Sequence, residues 1–135
     1  MHGLSVLVSH TVYTAISLGI FLLLLSAFLS NIGSWQSHMK EDELKLSVLI
    51  IKNAIMDIYT ISKSSDNINL SMRLPLTPFI GDKQYEVIMN GKIITALQDN
   101  TVFNETINLP INLTGRARPP ALISAEKNIT IKEMP

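Results

Sequence analysis

The sequence contains no cysteine, which excludes a disulfide framework, a thiolate metal site and a cysteine nucleophile. It has no excess of either charge: Lys and Arg together number 11, as do Asp and Glu. A neutral chain has no field to gather nucleic acid or acidic ligands, so no nucleic-acid partner is expected. Proline is missing ahead of Pro75, which leaves the first half free to run as helix. Most informative is where charge is lacking. No Asp, Glu, Lys or Arg occurs before Lys40, and every formal charge falls between Lys40 and Glu133. At 135 residues there is room for one domain plus an anchor.

The uncharged segment is apolar almost throughout from Leu4 to Ile32, most densely from Ala15 to Leu29. About 20 predominantly apolar residues suffice for a helix to cross the hydrocarbon of a bilayer. Its Ser and Thr residues are tolerable there, because a helical hydroxyl bonds back to its own backbone or across to a neighbouring helix. Trp35 follows the run, where an amphipathic ring favours the membrane interface. A secretory signal would have a shorter apolar core behind basic residues, and neither feature is present. A buried core helix of this length would need a larger soluble partner than the rest of the chain supplies. Ala15, Gly19, Ala27 and Gly33 are the candidate helix-packing positions, because small residues let two helices approach closely. They are equally ordinary in a helix that merely spans.

Helical patterning continues beyond the charged band Lys40-Glu41-Asp42-Glu43. Glu41 and Lys45 stand at the favourable i,i+4 spacing, and Gly33-Ser34 marks a place where the helix can bend. Leu44, Val48, Ile51, Ile55 and Ile58 recur at steps of four and three, a helical stripe. The stripe suits a face packed on the chain's own β domain better than a coiled-coil seam. Lys45, Lys52, Asp57 and Thr60 fall elsewhere on the helix.

From Asn67 onward the period changes to two. Ile68, Leu70, Met72 and Leu74 alternate with polar residues, and Val102, the Thr106-Ile107 pair and Leu109 carry another alternating run from Thr101 to Leu109. Tyr85–Met89 and Lys92–Ala96 flank Asn90-Gly91, which predicts a hairpin with those two residues at the centre of a type I′ turn. Leu122–Ala125 and Asn128–Ile131 are expected to pair around Glu126-Lys127. Proline occupies the gaps. The expected fold is therefore α+β: a long N-terminal hydrophobic helix followed by a small antiparallel β-sheet or sandwich of five or six short strands. The expected division is residues 1–34 as a transmembrane or filament-core helix, 35–62 as its amphipathic continuation, and 63–135 as an extracellular β domain.

Two features bear on sidedness. Asn69, Asn104, Asn112 and Asn128 each open an Asn-x-Ser/Thr triplet, a candidate N-glycosylation site on an exported domain. Strand alternation by itself also places polar residues two apart. Against export, Lys40, Lys45 and Lys52 follow the apolar run with nothing basic before it, which a literal positive-inside count would keep in the cytoplasm. Long domains translocate largely regardless of that count, so the β domain is expected outside the cell membrane.

Chemistry is sparse. His2, His10 and His38 have no companions at ligand spacing, so neither a metal nor a cofactor is expected. His10 reads as a neutral histidine bonded within its own helix or to a neighbour. Glu41-Asp42-Glu43 diverge around a helix and cannot converge as an acid/base pair. Gly81-Asp82-Lys83 reads as a turn, and Arg116-Ala117-Arg118-Pro119-Pro120 as an exposed basic loop. No enzyme is indicated.

The uncharged helix, its amphipathic continuation and a compact β domain with Asn-x-Ser/Thr triplets resemble archaeal type IV pilin-like proteins, the group that includes archaeal flagellins. His2-Gly3-Leu4-Ser5 is similar to the end of a prepilin leader, with His2 where the family has Lys or Arg. Leu74-Pro75 through Gly81 to Tyr85-Glu86-Val87 is similar to a Pro–Gly–Tyr pattern that follows the helix in small members. The resemblance implies leader processing between Gly3 and Leu4 by a prepilin peptidase. It also implies assembly through the N-terminal helix with copies of itself or other pilin-like subunits. The alternative is a single-pass membrane-anchored binding module or accessory subunit of a membrane complex, which holds to lipid and does not polymerise.

Overall fold

The computed structural model describes residues 2–65 and 69–135. It contains one helix, α1 (His2–Ser64), followed by nine strands: β1 (Leu70–Arg73), β2 (Phe79–Ile80), β3 (Lys83–Gln84), β4 (Glu86–Gly91), β5 (Ile93–Gln98), β6 (Thr101–Thr106), β7 (Leu113–Ala117), β8 (Ala121–Ala125) and β9 (Ile129–Glu133). Two compact units result, Met1–His38 and Met39–Pro135. The helix is unbroken at Gly33. It ends where Ser62 and Ser64 turn their hydroxyls onto the carbonyls of Tyr59 and Ile61, at 3.0 and 2.8 Å, with Lys63 at the negative end of the helix dipole. Among the described residues, Glu41 and Lys45 do not form the expected ion pair.

In the second unit the helical stripe finds its cover. Leu44, Val48, Ile51, Ile55 and Ile58 are all buried, and they share one core with the inward residues of the strands. The seven-stranded sheet has the order β1-β8-β9-β7-β4-β5-β6, and β2 and β3 form a separate two-stranded ribbon. The sheet is mixed rather than antiparallel, because β7 and β9 run parallel. The six expected strands correspond to β1, β4, β5, β6, β8 and β9; the strand between them, β7, lies where a loop was expected. Leu70 and Met72 take the inward side of β1 as the alternation requires, while Ile68 lies outside the described residues.

Two local readings are corrected. The β4–β5 hairpin forms, but Asn90 pairs with Ile93, so Gly91 and Lys92 are the central residues. Gly91 alone has positive φ, 63°, the φ pattern of a II′ turn with glycine first. In β6 the phase is opposite to that expected. Val102 is 58% exposed, and Phe103 packs against the core instead. The same phase turns Glu105 inward, and it is met there by Lys52 of α1 at 2.5 Å. A charged pair thus closes the core at the β6 edge, where the sheet has no further strand.

Gln98 pins the β2–β3 ribbon. Its buried amide donates to the carbonyls of Ile80 and Lys83, each at 2.9 Å, and Lys83 also meets Asp99 at 2.7 Å. Asp99 raises the Lys83 ammonium above its ordinary value. Tyr85, at the foot of β4, is 2% exposed, and its hydroxyl makes no hydrogen bond of good geometry. Ser47 is the hydroxyl beside it, but the Ser47 proton goes to the Glu43 carbonyl at 3.0 Å. Burial pushes the Tyr85 phenol above its usual 10.0, and Ser47 offsets part of that rise.

Removing a buried hydroxyl that lacks a good partner relieves a desolvation cost. Tyr85→Phe should therefore leave stability unchanged or raise it by about 1 kcal/mol in a denaturant titration. The raised pKa adds a pH dependence. Its contribution is fully present below the unfolded value of 10.0 and is lost as pH rises through the higher folded value. Between those two values the wild-type chain should lose stability more steeply than Tyr85→Phe.

Candidate functional site: an uncovered apolar helix

None of the described residues of the first unit is buried. Seventeen large apolar side chains from Leu4 to Trp35 are exposed, and the earliest buried residue of α1 is Leu44. At 1.5 Å per residue, the 29 residues from Leu4 to Ile32 extend about 43 Å, against about 30 Å of bilayer hydrocarbon. This is the one helix of the described residues long and apolar enough to cross a membrane.

Two of its threonines and His10 are satisfied within the helix. Thr11 donates to the Leu7 carbonyl and Thr14 to the His10 carbonyl, both at 2.9 Å. Because the Thr14 proton is committed, the 3.2 Å contact between His10 Nδ1 and Thr14 Oγ1 requires Nδ1 to be the donor. These bonds satisfy the two threonine hydroxyls within the helix itself. Trp35 is 72% exposed beyond the apolar run.

The candidate packing positions do not all meet. At about 100° per residue, Ala15, Gly19 and Gly33 fall within an arc of about 40°, while Ala27 lies about 120° from Ala15. Ser26 joins the first three, and Gly19, Ser26 and Gly33 repeat every seven residues. This seven-residue spacing is legible in the sequence itself. A Cβ at Gly19 or Gly33 would meet nothing within 4 Å. Gly3 and Leu4, the candidate processing pair, lie in the exposed first turn of α1.

In the second unit Asn69, Asn104, Asn112 and Asn128 are all exposed. Arg116, expected in a loop, instead lies in β7 and grips Glu86 of β4 with two hydrogen bonds of 2.5 and 2.7 Å. Among the described residues, no three His, Asp or Glu side chains converge as a metal site. No protein-family model matches the chain, and neither the curated proteins nor the solved structures provide a match.

Proposed function

We propose that the chain is a pilin-like structural subunit, major or minor, of an archaeal type IV pilus-like surface filament or of its assembly apparatus. The observation that supports this reading is an uncharged, wholly uncovered apolar helix joined to a domain whose core is complete without it. Such a helix has two ways to avoid water: lipid, or other helices like itself. The N-terminal helix first holds the subunit in the cell membrane with the C-terminal domain outside. In assembly it exchanges lipid contacts for contacts with copies of itself or related subunits. The small residues Ala15, Gly19 and Gly33 sit where neighbouring helices approach most closely.

The test is the fate of the protein when surface filaments are sheared from cells. The proposal expects it in the sheared fraction, with a mature chain beginning at Leu4 if a prepilin peptidase processes it. Gly19→Leu should still insert into membranes but lower recovery in sheared filaments by at least about tenfold, equivalent to about 1.4 kcal/mol per helix contact. A protein that stays wholly in the membrane fraction while filaments come away without it contradicts polymerisation. The second reading, a single-pass membrane-anchored module, would then apply; the observation favouring it is that, among the described residues, α1 has the length and composition of one span.

A further inference from the structure

The strand register brings the four Asn-x-Ser/Thr triplets together in a way that their positions in the chain do not suggest. Ser71 of β1 pairs with Ser124 of β8, Ser124 with Thr130 of β9, and Thr130 with Thr114 of β7. The row continues through Asn90 of β4 and Ile93 of β5 to Thr106 of β6. One rung therefore crosses all seven strands, on the face opposite the buried residues, and it contains the hydroxyl residue of every triplet: Ser71, Thr106, Thr114 and Thr130. At about 4.8 Å per strand, the rung is about 29 Å long. Alternation within a strand explains why an Asn and a hydroxyl two residues on share a face. It does not align the hydroxyls of four separate strands.

The acceptor asparagines take up ordered places around this rung. Asn69, Asn112 and Asn128 each stand one residue ahead of a strand, and β1, β7 and β9 run in the same direction, so all three lie at one end of the sheet. The 3.1 Å bond from the Ile129 amide to the Asn112 carbonyl fixes two of them side by side. Asn104 lies within β6, which runs the other way, and so falls across the rung from the rest. Asn69 immediately precedes one of the two outermost strands and Asn104 lies within the other, and the free edges of those strands would otherwise offer unpaired backbone to another sheet. All four side chains are exposed, so the folded domain accommodates a bulky substituent at each.

We propose that this outer face is a carbohydrate-bearing face, N-glycosylated at Asn69, Asn104, Asn112 and Asn128, with sugar standing over both free edges of the sheet. The proposal rests on the domain being outside the membrane, as above. The co-reactant is a lipid-linked oligosaccharide, activated as a phosphate or pyrophosphate ester and delivered by a separate membrane transferase. The Asn amide nitrogen forms a bond to the anomeric carbon, the bond from that carbon to the phosphate oxygen breaks, and the amide proton is lost as the lipid phosphate departs. Nothing is oxidised or reduced.

The test uses the full-length protein recovered from its own cells, with glycopeptide mass spectrometry and protease treatment of intact cells in parallel. Glycan mass on peptides containing Asn69, Asn112, Asn128 and Asn104 supports the proposal. Thr130→Ala should then remove the glycan from Asn128 alone, and Thr130→Ser should keep it. Bare asparagines in a domain that the protease reaches from outside overturn the glycan proposal and leave the orientation standing. Bare asparagines in a domain protected from the protease overturn both.

Discussion

Residues 39–135, freed of the first 38, should remain in aqueous solution as a folded monomer, whereas the full chain should require membrane, detergent or its own polymer. The expectation follows from where burial begins. No residue of α1 before Leu44 is buried, and the stripe from Leu44 to Ile58 remains with the sheet it covers. Removing the apolar segment therefore costs the core nothing, and unfolding free energy should change by less than about 0.5 kcal/mol, as for surface changes elsewhere. The effect on water solubility is far larger. Burying one large apolar side chain is worth at least about 1.5 kcal/mol, so seventeen exposed ones put the cost of leaving this helix in water near 25 kcal/mol. Size-exclusion chromatography and circular dichroism of the truncated chain check the claim. Aggregation of the fragment would mean that the core depends on the segment removed.

Gly115→Ala should be the most damaging single change of one methyl group. Gly115 lies in β7 between β4 and β9, opposite Met89 on one side and Ile131 on the other. Its φ of +114° is one that side chains rarely adopt, and an added Cβ would overlap the Ile131 carbonyl oxygen and press on the Ile131 amide at 3.1 Å. Both neighbours are backbone in the centre of the sheet, so neither can swing away. Backbone strain and overpacking together should cost about 3–5 kcal/mol, a large part of the stability of a domain this size. Thermal denaturation of the full chain in detergent, monitored through the β signal, should show a Tm lower by more than about 10 °C or no folded domain. A Tm within two or three degrees of wild type would show that the β7–β9 pairing has room for a Cβ at Gly115.

Gly115 also explains what the sequence concealed. Helical elements were legible because their cause is local: steps of four and three from Leu44 to Ile58 are a property of adjacent turns, and all five residues are buried as the stripe requires. Six strands were legible by alternation for the same reason. The strand β7 was not, because Leu113-Thr114-Gly115-Arg116-Ala117 combines a glycine with a charged residue and has one β-branched side chain. Its stability comes from partners distant in sequence: Glu86 for Arg116, and Ile131 filling the space that Gly115 leaves. Parallel pairing with β9 is likewise non-local, and no alternation encodes it. In β6 the pattern gave the right strand and the wrong face. Val102 is the more apolar choice for the core, but the inward phase belongs to Phe103, Glu105 and Ile107, and the Lys52 ammonium makes an inward Glu105 acceptable. The hairpin at Gly91 was displaced by one residue, since Asn-Gly favours a I′ turn but pairing with both β5 and β7 holds Asn90 in the strand. The candidate surface was legible earliest, as a segment without charge. The alignment of the four triplets on one rung was not, because it exists only once the register is set.

The most direct test removes every refuge from the N-terminal helix. Full-length protein, purified in mild detergent and transferred by dialysis to detergent-free buffer, can be followed by sedimentation velocity with and without lipid vesicles. The account predicts that the protein floats with vesicles when they are supplied and otherwise sediments as large assemblies, with almost none at the monomer position. A stable, folded monomer in plain buffer, indifferent to vesicles, would contradict it.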